Sequence, residues 1–437
     1  MKAIIETARW ICIAVIVAIS AQISAQSWSA PVVLSTGGQG WESTAAIDGS
    51  GNSVALWDEV LTTQSQLWSS SKASGANWGS ATQISPALET NMVFPAVKIT
   101  PAGFATAVWT DESGVWTADR PTPSKWNAAE NLIPGVSNSI FVMNSSGAAA
   151  IVWTEGGAPR STSGNVMAML RPAGGSWGPE QVVASSPHII AEHAGISESG
   201  AVVITWETYT ATCRRYGCST TSFILHASRQ NAGSNSWIDS GSLMGPDLDA
   251  HNALVTLDSA GGAILLAETS SFTYTSATQG NSGGAWSAFK TALNPQSTVL
   301  ISDMVSDDAG QVTLAYESIS YPNSQAFAVN GSVSTNTWSS PIVLSGSDTS
   351  VGQVLFATSP GGAALVIYLS NVSTPVIRAV TRATGTGSWT APINISGAGS
   401  EISPEAVAVE SAGNAVAIYS GYNTSSVHTE YATNFKP

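Results

Sequence analysis

The sequence predicts an all-β protein: an eight-bladed β-propeller of four-stranded antiparallel blades, closed by its own N-terminal strand. Three observations predict it. A Trp-marked motif recurs about every 50 residues, a hairpin-turn motif recurs alongside it eight times, and the two chain ends are complementary fractions of one repeat.

The first marker reads Trp, small residue, any residue, Pro or Ala, then apolar residues. Its tryptophans are Trp28, Trp78, Trp126, Trp177, Trp237, Trp286, Trp338 and Trp389, spaced by 50, 48, 51, 60, 49, 52 and 51 residues. Only the fourth interval departs, and its extra length contains the segment CRRYGC. The second marker is an apolar stretch, a turn with Asp, Asn, Ser, Thr or Glu and a closing Gly, and another apolar stretch. The turns are DGSG at 48–51, TPAG at 100–103, NSSG at 144–147, SESG at 197–200, DSAG at 258–261, SDDAG at 306–310, SPGG at 359–362 and ESAG at 410–413. A turn former followed by Gly at positive φ suits a short hairpin loop, and flanks rich in Val, Ile and Ala suit buried strands.

Each repeat therefore reads as four strands. In the first they are expected at Ser43–Ile47, Val54–Trp57 and Gln66–Ser71, with a fourth opening at Trp78. The last repeat supplies three, at Glu405–Val409, Ala415–Tyr419 and Val427–Ala432, whereas the chain begins with an orphan fourth, Trp28–Leu34. Pairing the orphan with the last three closes the ring and removes its exposed edges. A solenoid would share the period but leaves this complementarity unexplained.

Ahead of the repeats, Lys2 and Arg9 precede an apolar run from Trp10 to Ile19 and small residues ending at Ala25. This is the pattern of a secretory signal peptide, with cleavage expected before Gln26. The run is shorter than the roughly 20 residues of a membrane span. The mature domain is then 26–437, extracellular or periplasmic, with no membrane span after cleavage, and is expected to be a monomer. In an oxidising compartment Cys213 and Cys218 read as a local disulfide.

The chain has 437 residues, with 15 Lys+Arg against 29 Asp+Glu and a net charge of −14. Such acidity argues against nucleic acid or an anionic membrane as partner, since no basic surface exists to displace phosphate counterions. Charged residues are only 10% of the chain and hydrophobic ones 43%, with 16 Trp, so it can bury a large core.

The repeating tryptophans have two readings, sugar stacking or packing between blades, and their regularity favours packing. The same holds for Trp57, Trp109, Trp153 and Trp206, six residues after each turn Gly, with Tyr316 in the sixth repeat. In these features the chain resembles secreted bacterial propellers with Trp- and Gly-marked repeats, and more distantly sialidase-type propellers with Asp-boxes. It departs from an Asp-box in that Trp57 arrives too late after Asp48 and Gly51. It departs from sialidases in its arginines, most of which fall on expected third strands or loops.

Function is expected at one face. Asp58, Asp111, Glu155, Glu207, Glu268 and Glu317 follow the second strand in the first six repeats. The loop after a second strand opens on the same face as the loop leading into a first strand, so these carboxylates should surround one mouth. They mark either a cation or polar-ligand site, with calcium the divalent ion to consider, or simple caps of strand ends. Repeats four and five add Glu192, His193, Asp249 and His251, and the long fourth insertion adds Arg214, Arg215 and Tyr216. Histidine beside carboxylate can bind a cation or move protons near neutral pH. No P-loop, dinucleotide fingerprint, HExxH or G-x-S-x-G motif is present. The expected function is a secreted binding module for a glycan or an extracellular protein through this acidic face, the alternative a glycoside hydrolase or lyase acting on polysaccharide.

Overall fold

The structure, a computed structural model, describes residues 27–437 except 62–63, 87–92, 124, 160, 215–216, 245–250, 270–272, 296, 321, 372–373, 384–386, 398–400 and 424. The expected signal segment lies outside the described residues. Among these no helix is long and apolar enough to cross a membrane.

Eight antiparallel sheets follow one another along the chain. Their first strands are Gln39–Ile47, Val93–Ile99, Ile140–Met143, Ile189–Ile196, His251–Leu257, Thr298–Ser306, Val351–Thr358 and Ser403–Val409. Each of these contacts the first strand of the next blade, and the last contacts the first, so they line a closed ring around a central channel. In blade 8, Ser403–Val409, Ala415–Tyr422 and His428–Lys436 are completed by Ser27–Trp28 and Val32–Val33, both paired with the last strand. Closure thus follows the truncated ends of the sequence. One detail differs: the fourth strand of blade 1 is only Thr82–Gln83, and Trp78 stands ahead of it.

The turns explain the motif. In each, the closing glycine has φ between 75° and 93°, a conformation costly for any residue with a Cβ. The residue at the head of the turn accepts the N–H that opens the second strand: Asp48 from Asn52, Asn144 from Ala148, Ser197 from Ala201, Asp258 from Gly262, Asp307 from Gln311, Ser359 from Ala363 and Glu410 from Asn414, all within 2.7–3.1 Å.

Apolar burial is organised by seam. Eight hydrophobic clusters are present, each drawing on two neighbouring blades. Trp57 packs with Val416 and Ile418 of blade 8, Trp109 with Leu56 and Leu67 of blade 1, and Trp206 with Val152 and Val166 of blade 3. Tyr316, Tyr368 and Tyr419 occupy the equivalent place in blades 6, 7 and 8. The outer tryptophans also join blades: the indole N–H of Trp126 donates to Ser69, that of Trp237 to Gln181, that of Trp286 to Ser240 and that of Trp338 to Ser276. Arginines at third-strand ends stack on these indoles, Arg171 over Trp177 and Arg382 over Trp389. The packing reading of the tryptophans holds at these positions.

The extra residues of the fourth repeat lengthen its central hairpin, Val202–Arg214 and Gly217–Gln230, into a ribbon. Cys213 and Cys218 form a disulfide at its tip.

Two outcomes follow. Deleting Trp28–Ser35 should lower the unfolding midpoint of the whole ring in one cooperative calorimetric transition, because blade 8 loses its outer edge; an unchanged midpoint would contradict closure. In the folded protein Cys213 and Cys218 should take up no thiol reagent until they are reduced.

Candidate functional site

Strand direction defines two faces. First strands start, and second strands end, at the mouth; the eight turns occupy the opposite face.

At the turn face the channel widens into a cavity of about 760 Å³, lined in part by Lys98, Glu198, Asp258, Asp307, Asp308 and Glu410. Much of this charge is already engaged. Asp258, Asp307 and Glu410 hold their own turns, and Glu198 accepts from the Ser145 amide and hydroxyl. Its volume exceeds that of the mouth-face pocket described below, but its chemistry is that of the turns.

At the mouth the first strands carry bulges in seven blades, between Trp41 and Thr44 in blade 1 and between Pro404 and Ala406 in blade 8, for example. A bulge frees backbone N–H groups that need acceptors. Side chains of neighbouring blades supply them: Thr154 accepts from Ala191, Glu317 from Gln353, and Glu42 from Phe94.

Most carboxylates expected around the mouth therefore sit inside the structure. Asp58, Asp111, Glu207, Glu268 and Glu317 are buried. Asp111 accepts from Ser113 and Gly114 in its own hairpin, and Glu268 from the Asn252 side chain. Burial, helped by Glu42, pushes the Asp58 carboxyl up to about 6 against hydrogen bonds that favour its ionised form. Glu155 alone of the six is exposed, and it lines a mouth-face pocket of about 500 Å³ between blades 3 and 4 together with Tyr209 at the root of the ribbon. The Tyr209 hydroxyl donates to Gly157 O at 2.6 Å, tying ribbon to blade 3.

The described residues among those expected from repeats four and five lie on three strands of blades 4 and 5. Glu192 lies half-buried on the bulge of blade 4. His193 accepts from the Val255 amide of blade 5, and burial pushes its pKa down, opposed by Asp303. His251 starts the first strand of blade 5, its backbone opposite Glu268. Arg214 ends the second strand of blade 4. Arg215, Tyr216 and Asp249 lie outside the described residues. Among the described residues no group of three or more His, Cys, Asp or Glu is arranged to hold a metal ion.

A different constellation forms where blade 8 meets blade 1. Trp41 stacks on His428 with ring centroids 4.0 Å apart, and Tyr422 meets the same imidazole edge-on at 5.2 Å. The His428 Nδ1 lies against the carbonyl of Gly40, so its ring is fixed. Trp41 is 39% exposed, Tyr422 43%, and Phe94 of blade 2 is 63% exposed. Three aromatic side chains thus face solvent on one side of the mouth, with Ile190 and Leu300 exposed at the starts of two further first strands.

Beneath this rim lie Glu405 and Glu430. Glu405 accepts from the Ser420 hydroxyl at 2.7 Å. Burial raises its pKa, and Glu42 adds to the rise while His428 opposes it. Glu430 is 0% exposed. Neither of its carboxylate oxygens has a hydrogen-bond partner, and neither does the hydroxyl of Ser43, which lies close enough to favour the ionised form but not in hydrogen-bonding geometry. Burial, then the neighbouring Glu405, pushes Glu430 up to about 8.

The repeat shows how unusual this is. Across from the residue seven after each turn Gly stand Leu67, Val115, Val166, Leu225, Tyr274, Ala326 and Ile377 in blades 1 to 7, all buried. The eighth is Glu430, opposite Ser420. Sequence reasoning missed Trp41, Glu405, His428 and Glu430, although aligning third strands on the turn glycines displays one Glu in a column of apolar residues.

The sequence matches no family model and no curated protein. Among solved structures the chain is similar to the Dos1 propeller, with a TM-score of 0.52 at 9% identity over 94% of this chain and 95% of that one. It is similar to the polysaccharide lyase Uly1, with a TM-score of 0.51 at 10% identity over 81% and 90%. Aleuria aurantia lectin in complex with alpha-methyl-L-fucoside gives 0.41 at 10% identity over 82% and 97%. At these identities the likeness is one of fold. Fold and site together define an eight-bladed β-propeller with an aromatic-rimmed, acidic mouth.

A pH dependence follows from Glu430. Its carboxyl titrates near 4.5 when unfolded and about 8 when folded, so the native state binds the proton more tightly. The associated stability is full below about 4.5 and lost as pH rises through about 8. With divalent cations chelated, the melting temperature should fall between pH 6 and 8, and Glu430→Leu should flatten that interval; a flat wild-type profile would contradict the assignment.

Proposed function

We propose that the protein is a secreted glycan-recognising propeller that binds sugar at the mouth face, on the rim formed by Trp41, Tyr422 and Phe94. The observation that carries this reading is the solvent exposure of three aromatic side chains at one edge of a ring whose other described tryptophans are packed into seams. An exposed indole held rigid by stacking on His428 offers a flat apolar face at little entropic cost. The exposed Glu42 beside it adds acceptors for sugar hydroxyls. The likeness to a polysaccharide lyase concerns fold and transfers no chemistry.

Binding is favoured over hydrolysis or elimination because of access. Acid–base work on a glycosidic bond needs two carboxyl groups that reach the sugar. Glu430 and Asp58, the carboxyls with the most displaced acidity, are enclosed beneath the rim. A second location is favoured by the 500 Å³ pocket between blades 3 and 4, which Glu155 and Tyr209 both line near the ribbon that carries Arg214, with Glu192, His193, Glu207 and His251 on the adjoining strands.

A glycan array with the mature chain, followed by calorimetry on the best hit, tests the reading. Trp41→Ala and Tyr422→Ala should each weaken binding about tenfold or more, which is about 1.4 kcal/mol, without changing the melting temperature by more than a few degrees. Unchanged affinity in both, with loss in Glu155→Gln, would move the site to blades 3 and 4. No glycan bound by the wild type would overturn the reading.

A further inference from the structure

The seam between blades 8 and 1 contains a buried carboxylate that nothing in the fold requires. Its position is apolar in the other seven blades and packs their seams, so an apolar side chain there is compatible with the ring. Burying a carboxylate without hydrogen bonds is costly, and such departures from a repeat's own rule concentrate at functional sites. The chain also clears room for it. At Gly40, on the first strand of blade 1, a Cβ would stand 2.6 Å from Glu430 Cγ and 3.5 Å from Oε1, so any larger residue would strike the Glu430 side chain. Both oxygens are enclosed and unpartnered, and the buried Ser43 hydroxyl beside them is unpartnered too. Glu405 approaches from the bulge of the blade 8 first strand, close enough to act on Glu430 electrostatically.

We propose that Glu430, Glu405 and Ser43 form a binding site for a hard divalent cation of the calcium class, which clasps blade 8 to blade 1 at the closure of the ring. All the donors are oxygens, two of them carboxylates, and no thiolate or free imidazole is among them. That set suits calcium, which takes oxygen ligands in irregular geometry and fills remaining positions with water, rather than zinc or copper. The cation supplies positive charge at Glu430, on which burial and the neighbouring Glu405 act in the same direction. It also draws one ligand from the first repeat and two from the last, so binding energy becomes closure energy. The proposal stands apart from the glycan reading, since its readout needs no sugar.

The test uses the mature chain freed of metal with a chelator. Saturating calcium should raise the wild-type melting temperature by about 3–6 °C, and calorimetry should find this site in addition to any weak surface binding. Terbium should displace calcium and luminesce on tryptophan excitation, with Trp41 close by. Glu430→Leu, which copies Leu67 and Leu225, should fold, melt higher than the metal-free wild type and lose the calcium response. Glu430→Gln provides the same comparison at unchanged size should the leucine variant fail to fold, and Glu405→Gln and Ser43→Ala should weaken calcium binding about tenfold or more. A wild type whose stability ignores calcium and which binds none would overturn the proposal, leaving a carboxyl pair that shares a proton. A Glu430→Leu or Glu430→Gln variant with the full calcium response would overturn it as well, by placing the cation elsewhere.

Discussion

Each blade of this ring buries its apolar faces only against its neighbours, and the rest of the structure depends on that constraint. A four-stranded sheet alone would expose both faces. Here an indole or phenol at the sixth residue after the turn glycine packs back onto the preceding blade in seven blades, Ala267 standing there in blade 5, and one hydrophobic cluster fills each seam. Stability is therefore shared around the circle, and a ring with one open seam would expose two apolar faces at once. Pairing Ser27–Trp28 and Val32–Val33 with the last strand prevents this, because the final blade is assembled from both ends of the chain. The outer Trp hydrogen bonds repeat the same tie at the outer edge, and Arg171 and Arg382 reach into the preceding blade to Asp119 and Asn330.

The same constraint explains why most carboxylates at second-strand ends are not free ligands. Bulged first strands present N–H groups toward the neighbouring blade, and Glu317 or Thr154 answers them. Where the constraint is broken, chemistry becomes available. The seam from blade 8 to blade 1 places Glu430 in a column of Leu, Val, Ala, Ile and Tyr, sets Glu405 beside it, and lifts Trp41 and Tyr422 into solvent above. The mouth is thus asymmetric, although the scaffold is nearly eightfold.

Much of the architecture was legible in the sequence because a repeat writes its own register. The Trp spacing, the turn glycines and the complementary termini each follow from strand geometry that the order of residues alone can carry. Fourth strands were less legible: at Thr82–Gln83 or Ile393–Asn394 only two residues pair, too few for an alternating pattern. The site was harder still. The carboxylates after the second strands were visible as a pattern, but whether Asp111 serves a ligand or its own turn is decided by two backbone amides. Trp41 and His428 stand 387 positions apart, and only ring closure makes them neighbours. Their partnership has no local signature, whereas Glu430 betrays itself once the third strands are aligned.

We propose that recognition belongs to the mouth face at the closing seam. Hydrogen exchange measured by mass spectrometry, with and without a bound glycan, addresses it directly because it reports every segment of the ring at once. Protection confined to the segments around Gln39–Thr44, Phe94–Val97, Ser403–Glu405 and Ser420–Glu430, with the eight turns unchanged, is the result expected. Protection of the turns at 48–51, 258–261 and 410–413, or of the ribbon at 205–226 alone, would contradict it.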